Sequence, residues 1–290
     1  MYTDVQELLQ RAIEENKPLS FVVLQSEMKL TEKTEEEVFA GLKQTFSIME
    51  KSATNALEEP LNSVHSLITG VAHRQFLYSS QENSFLGPVL NLMMARALSS
   101  SETNAAMGLI CAAPTAGASG IVPAVILTAA EHLGADQKKV LEGLLTASGI
   151  GAIITRNATV SGAEGGCQAE CGVAAAMAAA AIVEMAGGRP QQCIEAASFA
   201  LINVMGLICD PIAGLVQLPC AYRNASQSIN AFLSADLALA GQVCPIPLDE
   251  VIDAMFKTGK MLPMQLRETA LGGIAATPTG RKLAEEIYKK

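Results

Sequence analysis

The chain has 290 residues, half of them hydrophobic, only 4% aromatic and none tryptophan, with a net charge of −9. That balance excludes nucleic acid as the main partner, since phosphate recognition needs clustered Lys and Arg. It also leaves the core to Ala, Leu, Ile, Val and Met, which suit closely packed helices better than sheets.

The first residues, MYTDVQELLQ, show neither a basic segment nor an apolar one, so the expected compartment is the cytoplasm. Seven cysteines there read as reduced thiols or metal ligands. Residues 1–60 read as an amphipathic helical part. Leu8, Leu9, Ala12 and Ile13 recur at helical spacing. Thr34 with Glu37 three residues on is a capping-box pattern that opens a helix reaching about Ala56. Residues 57–87 read as irregular, with Gly70, Gly87 and many polar residues, and Pro88 opens a helix through Ala97. The segment CAAPTAGASGIVP at 111–123 is a loop between apolar stretches.

Further helices are expected near 123–133, 137–147, 168–186, 190–207, 225–240, 249–258 and 279–288. Asp249 reads as an N-cap, and Gly187, Gly188 and Pro190 as a stop. No strand alternation is visible. The expected fold is mainly α: a single helix-rich catalytic domain over 1–290, with a buried Ala/Gly-rich core at 104–222 that holds only 12 of the 49 charged side chains. No membrane partner is expected, because Pro114 and Pro123 interrupt the charge-free run 104–130. The run 173–183 falls short of the roughly 20 residues that a span needs.

Cys167, Cys171, Cys193, Cys209 and Cys220 lie in a window with no His and no Lys. A cysteine nucleophile there has no local base, and a histidine-containing zinc site has no local ligand. Pyridoxal phosphate needs a Schiff-base lysine, and the apolar middle offers only Lys138 and Lys139, on what reads as an exposed helix start. An iron–sulfur cluster needs only thiolates. The plainer reading is that these cysteines pack as small hydrophobes, and no CxxC pair decides between the two. Cys209 in ICDP, Cys220 in QLPC and Cys167 after Gly166 all sit at element ends, where thiolates can converge. Cys171 and Cys193 read as packing residues inside apolar helices, and structural roles are favoured for Cys111 and Cys244. The glycine-rich loops 114–120 and 161–166 either offer amides to an anion or simply permit tight turns.

Four strings, ETNAAMGLICAAPTAGASGIVPAVIL (102–127), NATVSGAEGGCQAECGVAAAMAAA (157–180), MGLICDPIAGLVQLPCAYRN (205–224) and LRETALGGIAATPTGRKL (266–283), go further. They make the chain resemble, over nearly its whole length, the α chains of two-chain, iron–sulfur-dependent L-serine dehydratases. The resemblance implies a [4Fe–4S] cluster, no pyridoxal phosphate, and three ligands carried over to Cys167, Cys209 and Cys220. One iron is left open as a Lewis acid on the hydroxyl of L-serine, and elimination of water yields pyruvate and ammonia. The substrate carboxylate is expected at loop amides around Thr115, Ala116, Gly117 and Ser119, with Asn157 and Ser161 as further polar candidates.

The base is expected on a separate β chain, the partner that would carry a Ser-Ser-Ser-His-Thr segment absent here. His73 and His65 are the candidates within this chain, while His132 lies at a helix end. A homo-oligomer is a further expectation. One departure stands out: residues 66–73 read SLITGVAH where Gly-Leu-Thr-Gly-Gly-Asp is expected. It keeps open an iron–sulfur L-cysteine desulfidase, or a silent partner that retains the cluster fold.

Overall fold

The Ala-rich run after Cys171 forms the hub of the structure, a computed structural model that describes residues 2–62, 65, 67–81 and 83–289. Helix α9 (Val173–Met185) is buried at every position except Glu184, as expected of a helix that is apolar all round. It packs against α6 (Ile121–Leu133), α7 (Gln137–Asn157), α10 (Pro190–Ile202) and α11 (Cys220–Leu239). Small residues allow this close approach. A Cβ on Gly143 would lie 2.8 Å from Met185 Sδ, and one on Gly151 would lie 2.9 Å from Met177 Cε. Two apolar stretches, 116–133 and 168–185, are long enough to cross a membrane, but 72% and 94% of them is buried inside the protein. Their apolar surface is already covered by neighbouring helices.

Around this hub lie α1 (Val5–Glu14), α2 (Leu19–Thr31), α3 (Glu35–Thr54), α4 (Val71–Ser79), α5 (Gly87–Ala105), the single turn α8 (Gly162–Gly165), α12 (Leu248–Met261) and α13 (Pro278–Tyr288). The fold is mainly α, as the composition requires. Among the described residues the only strand-like pairing is an isolated parallel bridge, Cys209 with Arg267. The Thr34–Glu37 capping box forms as read, with both reciprocal bonds present. Gly187, at φ +83°, ends the polypeptide run after α9.

Four sequence expectations are corrected. Residues 57–87, read as irregular, contain α4, which packs on α5. Its apolar signal is short, with only Val71, Ala72 and Ser79 buried. Leu61, Gly70 and Ala72 are tied from a distance to the buried Glu102 carboxylate, which accepts their N–H groups (2.7, 2.9 and 3.3 Å). Ser66, the first residue of the divergent 66–73 segment, lies outside the described residues.

Helix α5 runs to Ala105 rather than Ala97, because its polar end is buried: Ser99 donates to Ser52 O and accepts from Ala56 N–H. Helix α7 continues past 147 to Asn157, since Gly149 and Gly151 serve helix packing there. Asp249 is not the cap of its own helix. Pro247 precedes α12, and the Asp249 carboxylate instead accepts the free N–H groups of Val5 (3.0 Å) and Gln6 (3.1 Å) at the start of α1. Replacing Asp249 with Ala is therefore expected to cost about 1 kcal/mol, the usual loss at a helix start. It would be read as a lower urea midpoint at unchanged slope.

Candidate functional site

Four segments distant in sequence meet at one buried point. Gly166, at φ +76°, turns the chain into Cys167; a Cβ there would lie 2.7 Å from Leu207 O. Cys167 caps a π-helix, Gln168–Gly172, a rare element concentrated at functional sites. Gln168 clamps it. Its N–H donates to Leu207 O (3.1 Å), its side-chain amide donates to Gly165 O (2.8 Å) and Met255 O (3.1 Å), and its Oε1 accepts from Gly206 N–H (2.8 Å).

Cys209 is fixed by the C-terminal segment. Its N–H donates to Leu266 O (2.9 Å), and its carbonyl accepts from Glu268 N–H (2.7 Å). The next residue, Asp210, accepts from Arg223 Nη2 (2.7 Å) and from Ile274 N–H (2.7 Å). Only a glycine fits beside it, because a Cβ on Gly273 would overlap the Asp210 carboxylate. Cys220 is the first residue of α11. One turn on, Asn224 donates to Cys220 O (2.8 Å) and Gly117 O (2.7 Å) and accepts from Gly120 N–H (2.9 Å). That one amide docks the 114–120 loop onto the helix carrying the cysteine.

Cys167, Cys171, Cys209 and Cys220 are all buried. Cys167 and Cys171 have their sulfurs 3.4 Å apart, and Cys209 Sγ lies 3.7 Å from Glu170 Oε2. Thr115 donates to the other Glu170 oxygen at 2.7 Å. The cradle is tight: a Cβ on Gly162 would lie 2.4 Å from Glu170 Oε2 and 3.0 Å from Cys209 Sγ. One oxygen each of Glu170 and Glu268, together with Cys209 Sγ, lie within 4.8 Å of one another, close enough to share a metal ion.

The electrostatics follow from this crowding. Hydrogen bonds from Cys171 and Cys209, aided by the Arg223 charge, hold the Cys167 thiol well below its ordinary range despite burial. The hydrogen bond to Cys167 and then burial push Cys209 up. Burial, followed by the negative charge of Cys167 and Glu170, pushes Cys220 up to about 12. Burial raises Glu170 to about 7 against the Thr115 hydrogen bond, and burial with the Cys167 charge raises Glu268. Such a site favours a cation, because a bound metal would displace these protons and offset the crowded negative charge.

The sequence candidates divide. Cys167 lies within hydrogen-bond reach of Cys209 and near enough to Cys220 for its charge to act on that thiol, and Thr115 and Gly117 touch or flank Glu170. The N–H groups of Ala116 and Gly117 donate to no acceptor among the described residues. Ser119 turns its hydroxyl back onto Ala116 O (2.8 Å). Ser161 sits at the rim, preceding Gly162. Asn157 is not brought in: it is exposed and donates to Thr3 O at 3.0 Å. His73 Nδ1 pairs with Leu57 O at 2.8 Å, while His65 Nδ1 is buried without a partner. Neither is hydrogen-bonded to the thiols. Sequence reasoning missed Glu170, Cys171, Asp210, Arg223, Asn224 and Glu268 as parts of the site, although all six lie inside the four strings quoted above. Cys193 packs in the apolar core and its thiol donates to Arg189 O at 3.6 Å.

A family model described as "Serine dehydratase alpha chain" matches residues 14–275. The "L-serine dehydratase, alpha chain" of Peptoniphilus asaccharolyticus is 50% identical over 269 residues, covering 93% of this chain and 92% of that protein. The "Probable L-serine dehydratase, alpha chain" of Bacillus subtilis is 46% identical over 288 residues, covering 99% and 96%. "L-serine dehydratase 1" of Escherichia coli is 38% identical over 275 residues, covering 93% of this chain but 60% of that longer protein.

Proposed function

The chain belongs to the serine dehydratase alpha-chain family, and from that membership we propose that it is the catalytic α subunit of an iron–sulfur L-serine dehydratase, which converts L-serine to pyruvate and ammonia. The observation that carries this reading is the convergence of Cys167, Cys209 and Cys220, from three separate segments, on one buried point beside Arg223. The donor set fits a [4Fe–4S] group: soft thiolates with no histidine among them. When bound, an iron without a protein thiolate would supply Lewis acidity toward the substrate hydroxyl.

This chain's own residues then bind and orient. The amides of Ala116 and Gly117 take the substrate carboxylate, with Ser161 at the rim. Thr115 holds Glu170 in place through its 2.7 Å bond. Glu170 and Glu268 offer negative charge to the α-ammonium group of an amino acid. The base that removes the α-proton is assigned to a β chain. The extra length of the E. coli relative is consistent with a β portion joined to the same polypeptide.

The test is anaerobic co-production with the β chain, assaying pyruvate from L-serine beside sulfide from L-cysteine. Pyruvate formation is the expected result. Sulfide release from L-cysteine without pyruvate from L-serine would move the assignment to a desulfidase, and no product from either amino acid would leave a silent partner. In the active enzyme, Thr115→Val removes a hydrogen bond to a charged group. It is expected to lower kcat/KM by about 10- to 100-fold, the rate equivalent of about 1.5–3 kcal/mol.

A further inference from the structure

We propose that Cys171 is a positioning residue whose thiol donates a hydrogen bond to Cys167 Sγ and thereby raises the reduction potential of the metal group that Cys167 holds. This rests on the cluster reading above. Cys171 is 1% exposed and projects from the π-helix that Cys167 caps, with the two sulfurs 3.4 Å apart. At that separation one proton must lie between them, because two anionic sulfurs in a buried site repel strongly. Once Cys167 is a deprotonated ligand, the proton belongs to Cys171. Cys171 therefore acts as donor, and a second ligand thiolate in that position would require the pair to move apart.

A hydrogen bond to a ligand sulfur withdraws negative charge from the metal group. It stabilises the reduced state, which is the more negative one, over the oxidised state. Burial strengthens the effect, since no water competes for the sulfur. The π-helix fixes the geometry through Gln168, which is bonded to nearby Gly165 and to two distant segments at Met255 and Gly206, and through Gly172, where a Cβ would lie 2.7 Å from Val204 Cγ2. Neither sulfur can drift without breaking that clamp.

The experiment compares wild type, Cys171→Ala and Cys171→Ser, each reconstituted anaerobically in complex with the β chain. Iron and sulfide content are measured first, then the midpoint potential by redox titration followed by electron paramagnetic resonance. Expected are equal iron contents, a lower midpoint in Cys171→Ala and a midpoint restored toward wild type in Cys171→Ser, whose hydroxyl can still donate. An unchanged midpoint in Cys171→Ala overturns the proposal. Loss of iron from both variants also overturns it, by making Cys171 a ligand. Wild type without iron would remove the cluster reading itself, an outcome distinct from the other two.

Discussion

Replacing any one of Cys167, Cys209 and Cys220 with Ala is expected to abolish iron retention and reduce turnover more than 100-fold, beyond the 10–100-fold typical of partners outside the ligand set. Cys193→Ala should leave both intact. The reason is geometric. The three cysteines come from a π-helix cap, an extended segment pinned by the C-terminal part of the chain, and the first turn of α11. Cys111, Cys193 and Cys244 cannot take their place, because Cys111 and Cys244 are partly exposed and Cys193 lies in the apolar core with its thiol on Arg189 O. The readout is iron content with the broad visible absorption of the cluster, followed by pyruvate formation with the β chain. One pattern separates this reading from a mononuclear site on Glu170, Cys209 and Glu268. In that case Cys209→Ala would lose metal, whereas Cys167→Ala and Cys220→Ala would keep it.

The three cysteines proposed as ligands stand out in the sequence because each sits beside a chain-breaking residue: Gly166, Asp210–Pro211 or Pro219. Local sequence signals report local geometry, and element ends are local. The long-range partners left no such signal. Asp210 and Arg223 are 13 residues apart, and Asp210 and Ile274 are 64 apart; nothing in spacing or periodicity links them. Cys171, which is buried in the core as a packing residue would be, gives a weaker signal for a different reason. In an apolar helix a cysteine resembles an alanine, and only its position one turn beyond Cys167 could have marked it.

The same distinction explains the fold. The capping box of α3 and the apolar run of α9 were readable because the interactions that form them lie within a few residues. The polar end of α5 was not, since Ser99, Ser100 and Glu102 look solvated until α3 and the 57–72 stretch cover them. Asp249 shows how a correct chemical reading can miss the recipient. It does satisfy helix-start amides, but those of α1 rather than its own.

Asp210→Ala is expected to cost about 3–5 kcal/mol, the usual penalty for removing one partner of a buried ion pair. The Asp210 side chain is 2% exposed and that of Arg223 16%, so Arg223 would keep its charge with little water to solvate it. The Ile274 amide loses its acceptor at the same time. The damage should concentrate where Asp210 acts, in the segment from Leu266 to Ile274 that holds Cys209 through the Leu266 and Glu268 backbone bonds. Urea unfolding of the reduced, metal-free chain would read the global loss. Hydrogen exchange at the Glu268 and Ile274 amides would show whether that segment opens before the rest. Asp210→Asn retains an acceptor for Ile274 and should fall between the two. The double variant Asp210→Ala with Arg223→Met should recover part of the loss, because the stranded charge is gone. If Asp210→Ala cost less than about 1 kcal/mol, in the range of an exposed pair, the pair would not be the strut that fixes Cys209. The ordering of the site would then have to come from the Cys209–Arg267 bridge alone.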